Sequence, residues 1–431
     1  MNYASTRGNA PVLGLGAALV AGLAPDGGLY VPQTLPRARI EDFDGRDDLA
    51  SVAAQLLQPF FADDPLASQL DAICAEALDL PAPLRALAAQ TQLLELFHGP
   101  TAAFKDFGAR FLAACLARLR KADDAPLNVL VATSGDTGAA VAAAFHRRAG
   151  FRVVILYPDG RVSPRQAHQL GCFGDNVAAL RVSGSFDDCQ AMVKRALNDA
   201  DLKAAAPLTS ANSISLGRLL PQMSYYAWAA LQHWRRDGTP LNFVIPTGNL
   251  GNALGAVLAR ALGLPLGDIA LATNANRVLP EFFAGAEYQP RPSIATLANA
   301  MDVGAPSNFE RLRWLYPDPA QLRAAFRSEA VDDTEITALI HASRDRYGTL
   351  VCPHTATALR MLERRRDAGD EREYAVVATA HPAKFDEVIE PLIGVRIPVP
   401  PMLAALLDRP SHSEPLAADY AALRARLLGT V

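Results

Sequence analysis

Cysteine is scarce in this chain of 431 residues, and the five present (Cys74, Cys115, Cys172, Cys189 and Cys352) are widely scattered with no CxxC pair. An odd, dispersed set supports neither a disulfide framework nor a zinc site, so no metal is expected and a reducing, cytoplasmic setting fits. A field of one charge is also missing. With 41 basic and 45 acidic residues the net charge is −4, which argues against nucleic acid or an anionic membrane as partner. Long apolar runs are absent too. Val12 to Leu23 is apolar but broken by glycines and too short to span a bilayer, and the start MNYASTRGNAP lacks a signal-peptide core. What remains is an ordinary enzyme-like composition, 50% hydrophobic and 20% charged, long enough for two or three domains around a small-molecule site.

The periodicity predicts an α/β protein. Apolar β-rich runs recur at Leu127 to Ala132, Phe151 to Tyr157, Val177 to Val182, Leu241 to Pro246, Ile269 to Thr273 and Tyr374 to Ala378, each followed by a helix-length stretch. Such runs are the mark of parallel strands covered on both faces. Ligands then sit beyond the carboxyl ends of the strands. Residues 1–90, turn-rich and then helical, read as a separate N-terminal domain. A small α/β lobe is expected over 121–229 and a large one over 91–120 with 230–431.

The turn His98-Gly99-Pro100-Thr101 leads into a helix that starts at Lys105, with Phe104 and Phe107 beside the amine. Most lysines are solvated; one flanked by aromatic rings is a candidate for imine chemistry, which needs the neutral amine. Thr133-Ser134-Gly135-Asp136-Thr137 joins a strand to an Ala-rich helix and suits a carboxylate or phosphate, although Asp136 or Thr137 alone is better explained as an N-cap. Asn212, Ser213 and Arg218 combine neutral donors with a planar cation, as a phosphate ester requires; a cap and an exposed arginine would give the same letters. Gly248-Asn249-Leu250-Gly251-Asn252 follows a strand and lets backbone amides converge on a phosphate. It is neither a Walker A nor a dinucleotide sequence. Thr379 ends the last strand, and His381, beside Pro382, reads as structural.

The wording of these segments goes further than their chemistry. HGPTAAFKDFGARF, SGDTG, NSISLGR, PTGNLGN and the opening YASTRG together resemble the shorter threonine synthases, fold type II enzymes that use pyridoxal phosphate (PLP). The resemblance implies two parallel-sheet lobes around a cleft. It implies that Lys105 carries PLP and moves protons, and that Gly248, Asn249, Leu250, Gly251 and Asn252 hold the PLP phosphate. Thr379 would meet the ring nitrogen and Asp136 would also touch the cofactor. Thr133, Ser134 and Thr137 are then expected at the substrate carboxylate, with Asn212, Ser213 and Arg218 at the phosphate of O-phospho-L-homoserine. The implied products are L-threonine and phosphate; a phospho-lyase giving 2-oxobutyrate would use the same parts. By analogy the chain is a monomer or small homo-oligomer. ATNANRV (272–278) and MDVGAPSNFER (301–311) match the same family without a derivable role, and Ala305 stands where the family usually has Asn; the PHTAT segment at 353–357 also matches and reads as a helix cap.

Overall fold

A computed structural model describes residues 1–429. Its strands, in chain order, are β1 (Asn2–Ser5), β2 (Leu13–Gly14), β3 (Tyr30–Pro32), β4 (Leu84–Ala88), β5 (Thr91–Glu95), β6 (Leu127–Ala132) and β7 (Phe151–Pro158). They continue as β8 (Val177–Val182), β9 (Leu208–Ser210), β10 (Leu241–Pro246), β11 (Leu266–Thr273), β12 (Arg327–Ala330), β13 (Tyr374–Ala378) and β14 (Glu414–Leu416). Three sheets result, ordered β2-β1-β3, β12-β11-β10-β13-β5-β4 and β14-β8-β7-β6-β9. The third is parallel throughout, and the second is parallel except for β4. Every residue of β5, β6, β10 and β13 is buried. This is the fold type II architecture expected, with helices on both faces of each parallel sheet.

Three of the expected domain limits need correction. The N-terminal unit does not extend to residue 90, because Gln90 adopts a positive φ of 52° and the chain folds back there. That turn pairs β4 with β5, Leu84 opposite Leu94, inside the six-stranded sheet. The limit at 230 falls within the continuous helix Gln222–Asp237. Nor does the large lobe keep the end of the chain: β14 pairs with β8, Glu414 opposite Leu180. Beyond it, Leu423 and Leu427 of the helix Tyr420–Leu428 pack with Val182, Cys189 and Val193 in the core of the smaller lobe. Among the described residues no helix is long and apolar enough to cross a membrane.

The YASTRG start forms β1 and a turn. The Tyr3 hydroxyl donates to the Phe60 carbonyl at 2.7 Å, and Thr6 Oγ1 donates to Glu310 at 2.6 Å. These contacts tie the start of the chain to Phe60 and Glu310. Neighbouring Arg311 ties this unit to the wall of the cleft. Only 1% exposed, it donates to the carbonyls of Tyr30 (3.1 and 3.0 Å) and Ile214 (2.7 Å) and to Asn308 Oδ1 (2.8 Å). Burial lowers its pKa to about 9. Arg311→Met would leave these acceptors unfilled, and each such group costs ~1–3 kcal/mol. We expect a loss of about 3 kcal/mol, read as a lower urea midpoint; an unchanged midpoint would show that water replaces the guanidinium without cost.

Candidate active site

The carboxyl ends of β6, β10 and β13 and the start of the helix Lys105–Leu119 face one cleft that opens to solvent. Every candidate residue named from the sequence lines it: Lys105, Thr133, Ser134, Asp136, Thr137, Asn212, Ser213, Arg218, Gly248 to Asn252, and Thr379. His381 does not. Its Nδ1 accepts from the Ala383 amide at 3.1 Å, so it caps the turn Pro382–Phe385.

Lys105 owes its place to the turn before it. Asp106 accepts from the Thr101 amide (2.9 Å) and hydroxyl (2.7 Å). Gly99 makes room for this carboxylate, since a Cβ there would lie 2.3 Å from Asp106 Oδ2. The Lys105 Nζ stands 5.6 Å from the centre of the Phe104 ring. Burial lowers its pKa to about 8; Asp136 opposes this, and Lys384 and Arg218 reinforce it. Roughly a tenth of the amine is therefore neutral at pH 7, far more than for a solvated lysine, and a nucleophilic lysine requires that form.

The loop after β10 is braced from outside. Asn249 Nδ2 donates to Ser213 Oγ at 2.6 Å, and Asn249 Oδ1 accepts from the Ser307 amide at 2.5 Å. Asn308 Nδ2 bridges the carbonyls of Ser213 (3.3 Å) and Asn249 (3.1 Å). Leu250 sits in the left-handed region at φ 64°, which turns the chain into the helix Gly251–Ala261 and leaves that helix N-terminus facing the cleft. Gly248 has no space for a side chain, because a Cβ would be 2.7 Å from the Met301 Cα. Asn252 is 7% exposed; its Oδ1 accepts from Tyr225 (2.5 Å) and Tyr226 (2.9 Å), and its Nδ2 has no partner among the described residues. A buried orphan donor at a glycine-shaped helix start fits a phosphate group. With the Lys105 amine in the same cleft, the residues fit PLP.

Two residues carry more structure than their letters suggested. Asn212 staples the segment after β9 to the end of β6: its Oδ1 accepts from the Ala132 amide (3.1 Å) and its Nδ2 donates to the Ala132 carbonyl (2.7 Å). Thr133 Oγ1 accepts from the amides of Gly135 (3.0 Å) and Gly138 (2.9 Å), shaping the turn from inside. Arg218 is 2% exposed, donates to the Ala211 carbonyl at 2.5 Å, and leaves its Nε without a partner. No carboxylate of the described residues forms a salt bridge with it. Burial lowers its pKa to about 10, so it remains cationic at neutral pH.

Three neighbours were not recognised as site residues. Lys384, fully buried, places its Nζ 2.9 Å from Asp136 Oδ1 and donates to the Thr101 carbonyl at 2.7 Å. Gln166 Nε2 donates to the same Asp136 oxygen at 3.1 Å. His354 lines the cleft and accepts from the Ala300 amide through Nε2 at 3.1 Å; burial lowers its pKa to about 4, so it is neutral. Burial alone would raise the Asp136 pKa, but the charge and hydrogen bond of Lys384, with the charge of Lys105, hold it well below the usual carboxylate range. The signal for Lys384 was its position in the turn after β13, five residues beyond Thr379.

The two segments without a derivable role are braces. Asp302 Oδ1 accepts from Asn274 Nδ2 (2.7 Å) and Thr296 Oγ1 (2.7 Å), tying 272–278 to 301–311. Cys352 caps the helix Pro353–Asp367, its Sγ accepting from the Thr355 amide at 3.5 Å.

Comparison with known proteins agrees with this geometry. The family described as pyridoxal-phosphate dependent enzyme matches residues 81–382. Threonine synthase N terminus matches 2–78, and threonine synthase, C-terminal, matches 355–426. A threonine synthase of Escherichia coli is 40% identical over 410 residues, covering 94% of each chain. That of Serratia marcescens is 39% identical over 416 residues, covering 96% of this chain and 95% of its own. The crystal structure of threonine synthase from Escherichia coli superposes with a TM-score of 0.93 at 37% identity, all of both chains being covered. A PLP-bound threonine synthase from Brucella melitensis gives a TM-score of 0.89 at 34% identity, covering 100% of this chain and 99% of that one. With likeness of this extent in sequence and in structure, the chain belongs to the threonine synthase family of PLP-dependent enzymes.

Proposed function

We propose that this protein converts O-phospho-L-homoserine and water into L-threonine and phosphate. The observation that carries the substrate assignment is Arg218. A buried guanidinium with no salt bridge, opposed only by the more distant Asp106, is costly, and in the same cleft as the phosphate-shaped loop at Gly248 it offers a second anion site suited to a phosphate ester. When bound, PLP withdraws electrons from the substrate Cα and so acidifies its Cα and Cβ protons. Lys105 would hold the cofactor through its amine and, once released, move protons at Cα and Cβ. Gly248 to Asn252 would hold the cofactor phosphate and Thr379 would face its ring nitrogen, while Asp136 would stand beside it. Ser134 and Thr137, on the turn that Thr133 shapes, would orient the substrate carboxylate. Ser213 and Arg218 would keep the leaving phosphate in place, on a segment that Asn212 fixes. Closure of the cleft would exclude bulk water until hydration at Cβ. Five buried cysteines, none paired, support a reducing compartment and with it a cytoplasmic location.

The test is to load the purified protein with PLP, add O-phospho-L-homoserine, and quantify phosphate, threonine and 2-oxobutyrate. Threonine equal to phosphate is expected. If 2-oxobutyrate replaced threonine, the protein would be a phospho-lyase; release of no phosphate would sink the substrate assignment.

A further inference from the structure

Lys105 shares its surroundings with one strong anion, and the fate of that anion decides what the amine can do. Asp136 opens the helix Asp136–Phe145 and lines the cleft with Lys105. The groups facing the amine from the elements packed around it are Asp136, Lys384, Arg218 and neutral His354. Asp106, next in the chain, is occupied by the amide and hydroxyl of Thr101. Had Asp136 no other cation, it would pair with Lys105 and keep it an ammonium ion. Lys384 stands behind Asp136, off the cleft lining and without solvent exposure, its Nζ 2.9 Å from the carboxylate. A second bond, 2.7 Å to the Thr101 carbonyl, anchors it to the turn that delivers Lys105.

We infer that Lys384 is a positioning residue for the reaction: its ammonium takes up the charge of Asp136, so that Lys105 is free to give up its own proton. The inference rests on Lys105 being the reactive amine, but the measurement below reads ionisation and not turnover. It would stand if the product assay named another substrate. The arrangement also explains how an Asp is accommodated at the cleft wall. Asp136 and Lys384 together present no net charge, and Gln166 Nε2, at 3.1 Å, holds the carboxylate in the same orientation.

The experiment is competitive labelling of Lys105 with an amine-acylating reagent across pH in the full-length chain freed of cofactor, read by peptide mass spectrometry, with folding checked by circular dichroism. The wild type should show a midpoint near 8. In Lys384→Met the unpaired carboxylate should raise that midpoint by about one unit, a roughly tenfold fall in labelling rate below the midpoint. Asp136→Asn should move it the opposite way, since Lys384 then faces Lys105 unpaired. Lys384→Met/Asp136→Asn, neutral at both places, should return it to within about half a unit of wild type. Opposite shifts that cancel in the double variant support the inference. If Lys384→Met does not fold, the downward shift in Asp136→Asn decides. An unmoved midpoint in the folded single variants, or a double variant that stays shifted, would overturn it and leave the pair a brace for the Thr101 turn.

Discussion

Lys105→Ala should make no measurable threonine from O-phospho-L-homoserine, with turnover lower by at least about 10³-fold, while circular dichroism stays that of the wild type. A general base alone contributes ~10²–10⁴-fold, and this amine would also hold the cofactor in place. Its loss should not unfold the chain, because Asp106 and the Thr101 turn keep the start of the helix without it. Two further readings separate the roles. The variant should bind PLP without becoming a borohydride-trapped adduct at residue 105. A small primary amine added to the buffer should restore part of the proton transfer, in proportion to its concentration. Turnover within tenfold of wild type would mean that another lysine is the reactive one.

Arg218→Met should lower kcat/KM for the phosphorylated substrate by about 100- to 1000-fold, in line with the ~2–5 kcal/mol lost when one partner of a buried charged hydrogen-bond pair is removed. The affinity for L-threonine as a product inhibitor should change less than about threefold, because threonine has no phosphate for this cation to meet. That contrast matters, since Arg218 also donates to the Ala211 carbonyl beside Asn212. If phosphate-bearing and phosphate-free ligands weaken alike, the guanidinium supports the segment and does not recognise the phosphate.

Much of the cleft was readable because its chemistry lies at the ends of long buried strands. Val129, Val131, Phe243, Ile245, Val376 and Val377 mark those strands by continuous apolarity, and the small polar turns after them follow the strand-end rule. What escaped was set by long-range partners. Lys384 looks like any helix-start lysine until Asp136 is found beside it, a pairing that crosses two lobes. Asn212 looks like a phosphate donor because its letters say nothing of Ala132, 80 residues away. β14 is three residues long and contains Pro415, so no period could announce it. β4 (LRALA) has only partly buried and exposed residues and lacks the apolar face that marks a strand.

That late strand has a bearing on how the protein is made. Ser183, at the end of β8, meets its partner Leu416 across 233 residues of intervening chain. At about 5–20 residues per second, a ribosome needs roughly 10 to 50 s to deliver it. Until then β8 lies at the border of its sheet with its outer amides and carbonyls unmatched, a template for pairing with another nascent chain. The smaller lobe therefore depends on a segment synthesised long after the strand it covers, and crowded translation at elevated temperature should make this border the place where newly made molecules aggregate first.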